Sequence, residues 1–205
     1  MNVRERILTH ATKLFAEQGY DGTSVQEIAD AVGIRKPSLL YHFKSKDELR
    51  ENVIAEMLNH WSALLPSLFL RATREERFEA TMDALSQFFI ADPDRARLIL
   101  RETLDRPDHM RTLLAEFVRP WIGMLAEQLN RAKSQGTVRK DVDNEAYAVQ
   151  VIAMAVSGTA VIDTLQTILP NHPVRGTTRE RHVRELTRVA RSSLYTDHDT
   201  KREHG

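Results

Sequence analysis

Apolar residues recur every three or four positions almost throughout this chain, and no stretch alternates as a half-buried strand does. Val3, Ile7, Ala11, Leu14 and Phe15 form one stripe, closed by Gly19 as a left-handed cap. After the tight connection Tyr20-Asp21-Gly22, Ser24 and Glu27 have the spacing of a capping box, in which each side chain takes a backbone N–H of the new first turn. Val25, Ile28, Ala29 and Val32 then make the buried face of a second helix. Gly33 supplies the positive φ of a sharp turn, and Pro37 stands where a third helix begins. From that helix Leu39, Leu40 and Phe43 can face inward. Ser45 and Glu48 form a second capping box, opening a fourth helix with Leu49, Val53, Met57, Trp61 and Leu64 on one side and Pro66 as its stop.

The same period predicts helices over 75–91 and 94–104, then a long one over 108–134 that Pro120 should break near Arg119. Asp143 begins another, running to about Leu169, and the last covers 178–195. The expected fold is all-α, with about nine helices. A three-helix unit occupies 1–48, a larger helical domain 49–195, and a disordered tail 196–205.

The helix from Asn144 is nearly continuous in apolar residues between Ala146 and Ile162. That run is short of the roughly 20 residues a membrane span needs, and it includes Gln150, Ser157 and Thr159, so no membrane partner is expected. Small residues allow another helix to approach closely. Ala153, Ser157, Gly158 and Ala160, with Val183, Leu186, Val189 and Ala190 of the final helix, are the expected dimer interface, a four-helix bundle shared by two subunits. The central core helix of a monomer fits the same pattern.

Composition narrows the chemistry. The 205 residues suit one large domain, or a small one joined to a medium one. Absence of cysteine removes disulfides, thiolate metal sites and cysteine nucleophiles, and fits a reducing cytoplasm. The start, MNVRERIL, is charged and leads into no apolar segment of a secretory signal. The net charge of zero argues against a general polyanion binder. Yet Arg35 to Lys46 holds four basic residues and no acidic one, a local patch suited to one groove.

Two short helices joined at Gly33 have the form of a helix-turn-helix, whose second helix lies in the major groove of double-stranded DNA. On that helix Arg35, Lys36, Ser38, Tyr41 and His42 are the outward candidates. Lys or Arg can reach guanine acceptors and a serine hydroxyl either a base edge or a phosphate. Tyr41, His42 and Lys46 suit phosphate. Thr23 adds a hydroxyl beside a helix N-terminus, and Ser24 and Leu39 complete the expected DNA-binding set. Spacing alone fits equally an ordinary helical hairpin with a solvated charged face.

The run TSVQEIADAVGIRKPSLLYHFKSKDEL, with Ile7, Ala11, Leu14-Phe15 and Gly19 to Thr23 before it, closely resembles the signature of the TetR family of bacterial transcriptional regulators. Leu40 departs from the pattern, standing where a tyrosine that contacts phosphate often lies. The resemblance implies an all-helical homodimer, with an N-terminal DNA-binding domain and a C-terminal domain that binds a small ligand and dimerises through its last two long helices. Ligand binding would change the separation of the two reading heads, with the fourth helix as the lever between pocket and DNA.

Beyond residue 50 the ligand is not legible. Trp61, Met82, Phe88, Phe89, Trp121, Met124 and Met154 suit an apolar cavity or plain core alike, and Arg101 and His109 are candidates to orient a polar or anionic ligand. No HExxH, phosphate-binding loop or dinucleotide glycine pattern is present, and the histidines have no metal spacing, so neither catalysis nor a cofactor is expected. The chain reads as a ligand-responsive dimeric repressor. The alternatives are a regulator without a small-molecule inducer and a small-molecule-binding protein with a vestigial DNA head.

Overall fold

The computed structural model describes residues 2–69, 74–90 and 92–196, and the side chains of all of these but 61, 64–69, 74, 75 and 90. Trp61 and Leu64 as inward-facing residues, and the tail beyond Thr196, therefore lie outside the described residues. The helices in order are α1 (Val3–Gly22), α2 (Val25–Val32), α3 (Lys36–His42), α4 (Lys46–Phe69), α5 (Arg74–Leu85), α6 (Pro93–Asp105), α7 (Pro107–Leu113), α8 (Arg119–Ser134), α9 (Asn144–Ala160), the single turn α10 (Ile162–Leu165) and α11 (Thr178–Leu194). Two π-helical segments, Ser86–Ile90 and Leu114–Val118, extend α5 and join α7 to α8. Among the described residues there is no strand, only isolated bridges at Val138–Tyr195 and His172–Gly176.

Local chemistry explains most boundaries. Asn2 with Glu5, Ser24 with Glu27 and Thr177 with Glu180 form complete capping boxes on α1, α2 and α11. At α4 the box is only half made. Ser45 Oγ accepts from Glu48 N, but the Glu48 carboxylate reaches past Ser45 to the N–H of Lys44. Gly19 breaks α1 with φ 79°, a left-handed conformation that the expected cap requires.

Two boundaries differ from the sequence expectation, at α4 and α9, while the break expected near Arg119 is present. α4 does not end at Pro66 but continues to Phe69. A proline deletes one helical hydrogen bond without ending a helix that is held from outside, and Ser62 Oγ, one turn earlier, donates to Phe117 O at 3.0 Å. The break at Pro120 takes the form of the π segment, with Pro120 in the first turn of α8. α9 stops at Ala160 instead of continuing to Leu169, because the guanidinium of Arg97 on α6 takes the Ala160 carbonyl and also bonds Asp94 and Asp163.

The first three helices enclose Ile7, Ala11, Phe15, Ile28, Leu39 and Phe43, all at most 1% exposed. α6 joins this head to the body, packing against α1 on one side and α9 on the other. At that joint Arg50 of α4 and Glu102 of α6 form an ion pair at 2.6 Å, with each side chain 5% exposed. Removing one member of such a pair strands the other charge away from water, whereas replacing both with apolar groups does not. Glu102→Ala is expected to lower unfolding stability by about 3–5 kcal/mol, with the Arg50→Met/Glu102→Leu double variant close to the parent, as urea denaturation would measure.

Candidate nucleic-acid interface and internal cavity

The turn between α2 and α3 is closed by Gly33, at φ 77°, whose N–H donates to Asp30 O at 3.0 Å, and by Ile34 N donating to Ala29 O at 3.0 Å. Burial of Leu39 and Phe43 sets the rotation of α3 about its axis. Arg35, Lys36, Ser38 and Tyr41 are thereby turned outward, with Tyr41 86% exposed. His42 is half-buried, its ring edge-on to Tyr41 at 5.5 Å. Ser24 stays exposed, and hydrogen bonds from its hydroxyl and N–H hold the Glu27 carboxyl below its usual range.

Two members of the expected set face the other way. Leu39 is fully buried and belongs to the core of the head, because it is the apolar residue of α3 that meets Ile7 and Ile28 in one cluster. Thr23 is 1% exposed, and its hydroxyl donates to Gly19 O at 2.8 Å and Leu14 O at 3.2 Å, tying the end of α1 to the start of α2. Lys46 holds its ammonium 4.1 Å above the Tyr20 ring. Arg50 and Arg106 approach the same ring, at 5.4 and 4.4 Å. Burial and the hydrogen bond to Asp47 raise the Tyr20 hydroxyl above its usual pKa.

A second feature lies in the body. α5, α8, α9 and the end of α11 line a cavity of about 110 Å³ that reaches the surface beside the exposed Gln128. Met82 and Trp121, two of the expected residues, are on its wall. Phe78, Leu125, Leu129, Tyr147 and Tyr195 are there as well and were not singled out from the sequence as cavity residues. Their signal is weak, since an apolar i, i+4 pair such as Leu125 and Leu129 marks a buried face without saying whether that face meets a neighbour or a void.

The other expected ligand residues are elsewhere. Phe88 is stacked on His60 at 5.8 Å in a separate cleft beside α1, and Phe89 packs edge-on to Phe88 in the core. Met124 is 47% exposed, and Met154 is half-buried against the core outside the cavity wall. Arg101 is exposed and donates to Glu17 O at 3.4 Å, so it serves the α1–α6 contact. His109 lies on α7, away from the cavity.

The expected dimer residues divide into two groups. Ala153 and Ser157 are exposed on α9, in line with Ala146, Val149 and Gln150, which are also exposed. Ala160, Leu186 and Ala190 are buried within the chain's own core, and Val183 and Val189 are half-buried. Gly158 answers to an internal neighbour: a methyl group there would overlap the His182 imidazole of α11. Among the described residues no helix is long and apolar enough to cross a membrane, and no group of three or more His, Asp or Glu could hold a metal ion.

Comparison with known proteins agrees with this geometry. Residues 7–53 match the family model of bacterial regulatory proteins of the tetR family, and residues 75–189 match that of the tetracyclin repressor-like C-terminal domain. Over 150 residues the chain is 30% identical to the HTH-type transcriptional repressor KstR2 of Mycolicibacterium smegmatis, covering 68% of this chain and 69% of that protein. Over 95 residues it is 33% identical to the biofilm operon icaADBC negative transcriptional regulator IcaR of Staphylococcus epidermidis, covering 45% of this chain and 48% of that one. The chain therefore spans about half the length of the IcaR proteins it matches.

In three dimensions it is similar to the ketosteroid transcriptional regulator KstR2 of Mycobacterium tuberculosis, with a TM-score of 0.69 at 20% identity over 96% of each chain. The fatty acid degradation regulator FadR from Bacillus halodurans gives 0.71 at 16% identity, over 93% of this chain and 95% of that one. The family models and the KstR2 relative together define the class, a helix-turn-helix transcriptional regulator. The chain belongs to the TetR family of bacterial transcriptional regulators.

The Gly158–His182 contact can be tested directly. Gly158→Ala should cost about 1–3 kcal/mol by overpacking, and His182→Ala in the same chain should recover much of that loss, as a double-mutant cycle in urea would show. Burial holds the His182 imidazole below its usual pKa near 6.5, so the folded chain binds fewer protons there than the unfolded chain. Its contribution to stability is complete above pH 6.5 and is lost as the pH falls through the lowered folded value. Melting temperature should drop below that pH, and His182→Gln should flatten the drop.

Proposed function

We propose that the protein is a homodimeric transcriptional repressor that binds a near-palindromic operator through α3 and leaves it when a small molecule enters the cavity of the body. The observation that carries the DNA reading is the outward group Arg35, Lys36, Ser38 and Tyr41 on a helix whose other face is locked by Leu39 and Phe43. Lys36 and Arg35 would read guanine edges, and Ser38, Tyr41 and His42 would hold phosphate or a base edge. The exposed stripe Val149, Ala153 and Ser157 on α9 supports a dimer across that face. Two heads related by a two-fold axis would require half-sites about one helical turn, or a multiple, apart.

The cavity favours a ligand-responsive regulator over one governed by another protein, since a body with no use for a small molecule would be expected to fill that space. DNA would favour one spacing of the heads and ligand another, so each would weaken the other's binding by the same factor. α6 would carry the change, lying between α9 at the cavity and α1 in the head.

Gel-shift titration against the DNA upstream of the protein's own gene tests the reading. Lys36→Ala and Tyr41→Ala should each weaken binding at least tenfold with the dimer and melting temperature retained. If Lys36 contacts phosphate, the salt slope should also fall by about 1. Unchanged affinity in both variants would overturn the assignment of α3.

A further inference from the structure

We infer that the cavity takes a compact, uncharged and predominantly apolar molecule, and that this molecule enters where the end of α11 is strapped to the loop after α8. The inference rests on the ligand-responsive reading above and adds the chemical class and the route.

Size comes first. A dry apolar cavity of about 150 Å³ holds one benzene ring, so a space of about 110 Å³ suits a single ring or a short chain, given modest adjustment of the wall. The wall is aliphatic and aromatic for most of its area, with Met82, Leu85, Val151 and Trp121 on it and no carboxylate among its residues. Arg77 is its single charged residue and already has a partner within the protein.

Two of the three hydroxyls on the wall are also committed. Thr81 donates to Arg77 O at 2.7 Å, and Tyr147 donates to Ala190 O at 2.9 Å, with burial raising the Tyr147 pKa further above its usual range. A ligand therefore meets mainly aromatic faces and methyl groups, with the Gln128 amide, the Trp121 indole N–H and the Tyr195 hydroxyl as the few neutral polar groups among them. A cation would find π faces but no counter-ion, with Arg77 opposing it. An anion would have to displace the existing partner of Arg77, and a buried charge without a dedicated partner is costly.

The route follows from how the wall is closed. Val138, Leu194 and Tyr195 belong to it, and they are held together by Arg139 N donating to Leu194 O at 3.0 Å and Thr196 N donating to Thr137 O at 3.4 Å. The Tyr195 ring meets Phe78 edge-on at 5.6 Å. Elsewhere the wall consists of helices. This strap is the part that can open by giving up two backbone hydrogen bonds, the bond from the Thr196 hydroxyl to Gly136 O and a ring contact.

A matched series on one aromatic ring tests both halves, using the full chain in calorimetric titration with operator gel shifts in parallel. Ethylbenzene should bind at least tenfold more tightly than phenylacetate or benzyltrimethylammonium. Val151→Phe, which fills the space, should weaken ethylbenzene binding at least tenfold. Should that variant fail to fold, Tyr195→Ala serves instead: it should raise the ethylbenzene association and dissociation rates several-fold and keep the order of preference. Equal or tighter binding of either charged probe, or binding of none, would overturn the inference, and unchanged rates in Tyr195→Ala would overturn the route. Ethylbenzene bound in the cavity with the operator still held would support this inference while overturning the ligand-responsive reading on which the biological role depends.

Discussion

The buried ion pair between Arg50 and Glu102 is the constraint on which the arrangement of the molecule turns. Two charges out of water are tolerable only when they satisfy each other, so they act as a pin with a defined length and direction. The pin joins the second turn of α4, which grows directly out of the helix-turn-helix head, to the last turn of α6, which belongs to the body. Around it, cations from both domains converge on the one ring of Tyr20. Head and body are therefore pinned by one charge pair within an apolar core that runs through both.

Such a pin suits a regulator. The buried pair favours one defined geometry, because drawing its members apart leaves two charges uncompensated away from water. α6 touches this joint at one end of its packing surface and α9 at the other, and α9 is also a wall of the cavity. On the proposed reading, a change in the volume that the cavity must hold would reach the head through one helix and one charge pair.

The head was almost fully legible in the sequence because its determinants are local. Capping boxes, a left-handed glycine and a three- or four-residue apolar period all act within a turn or two, and Ser24, Glu27 and Gly33 take the roles their spacing implies. What misled was polarity read without depth: Thr23 has the chemistry to meet phosphate, but its hydroxyl is used inside. The body was legible as helices but not as a site. Arg97 ends α9 from more than sixty positions away, and Arg101 meets the backbone of α1. Such long-range bonds leave no periodic trace. The cavity escaped for a related reason, since residues that line a void and residues that fill one have the same composition.

One consequence of the cavity concerns the order in which the protein is made. Its wall is assembled from positions as early as Arg77 and as late as Tyr195, closed by the last bridge the structure describes. The apolar core of the head, by contrast, draws mainly on the first fifty or so residues. Chains emerge N-terminus first, so the reading surface can take shape while the sensing chamber still lacks a side. On the proposed reading, a nascent or truncated copy would present its DNA-facing helix before it had any chamber to fill, and sensing would arrive only with the final helix.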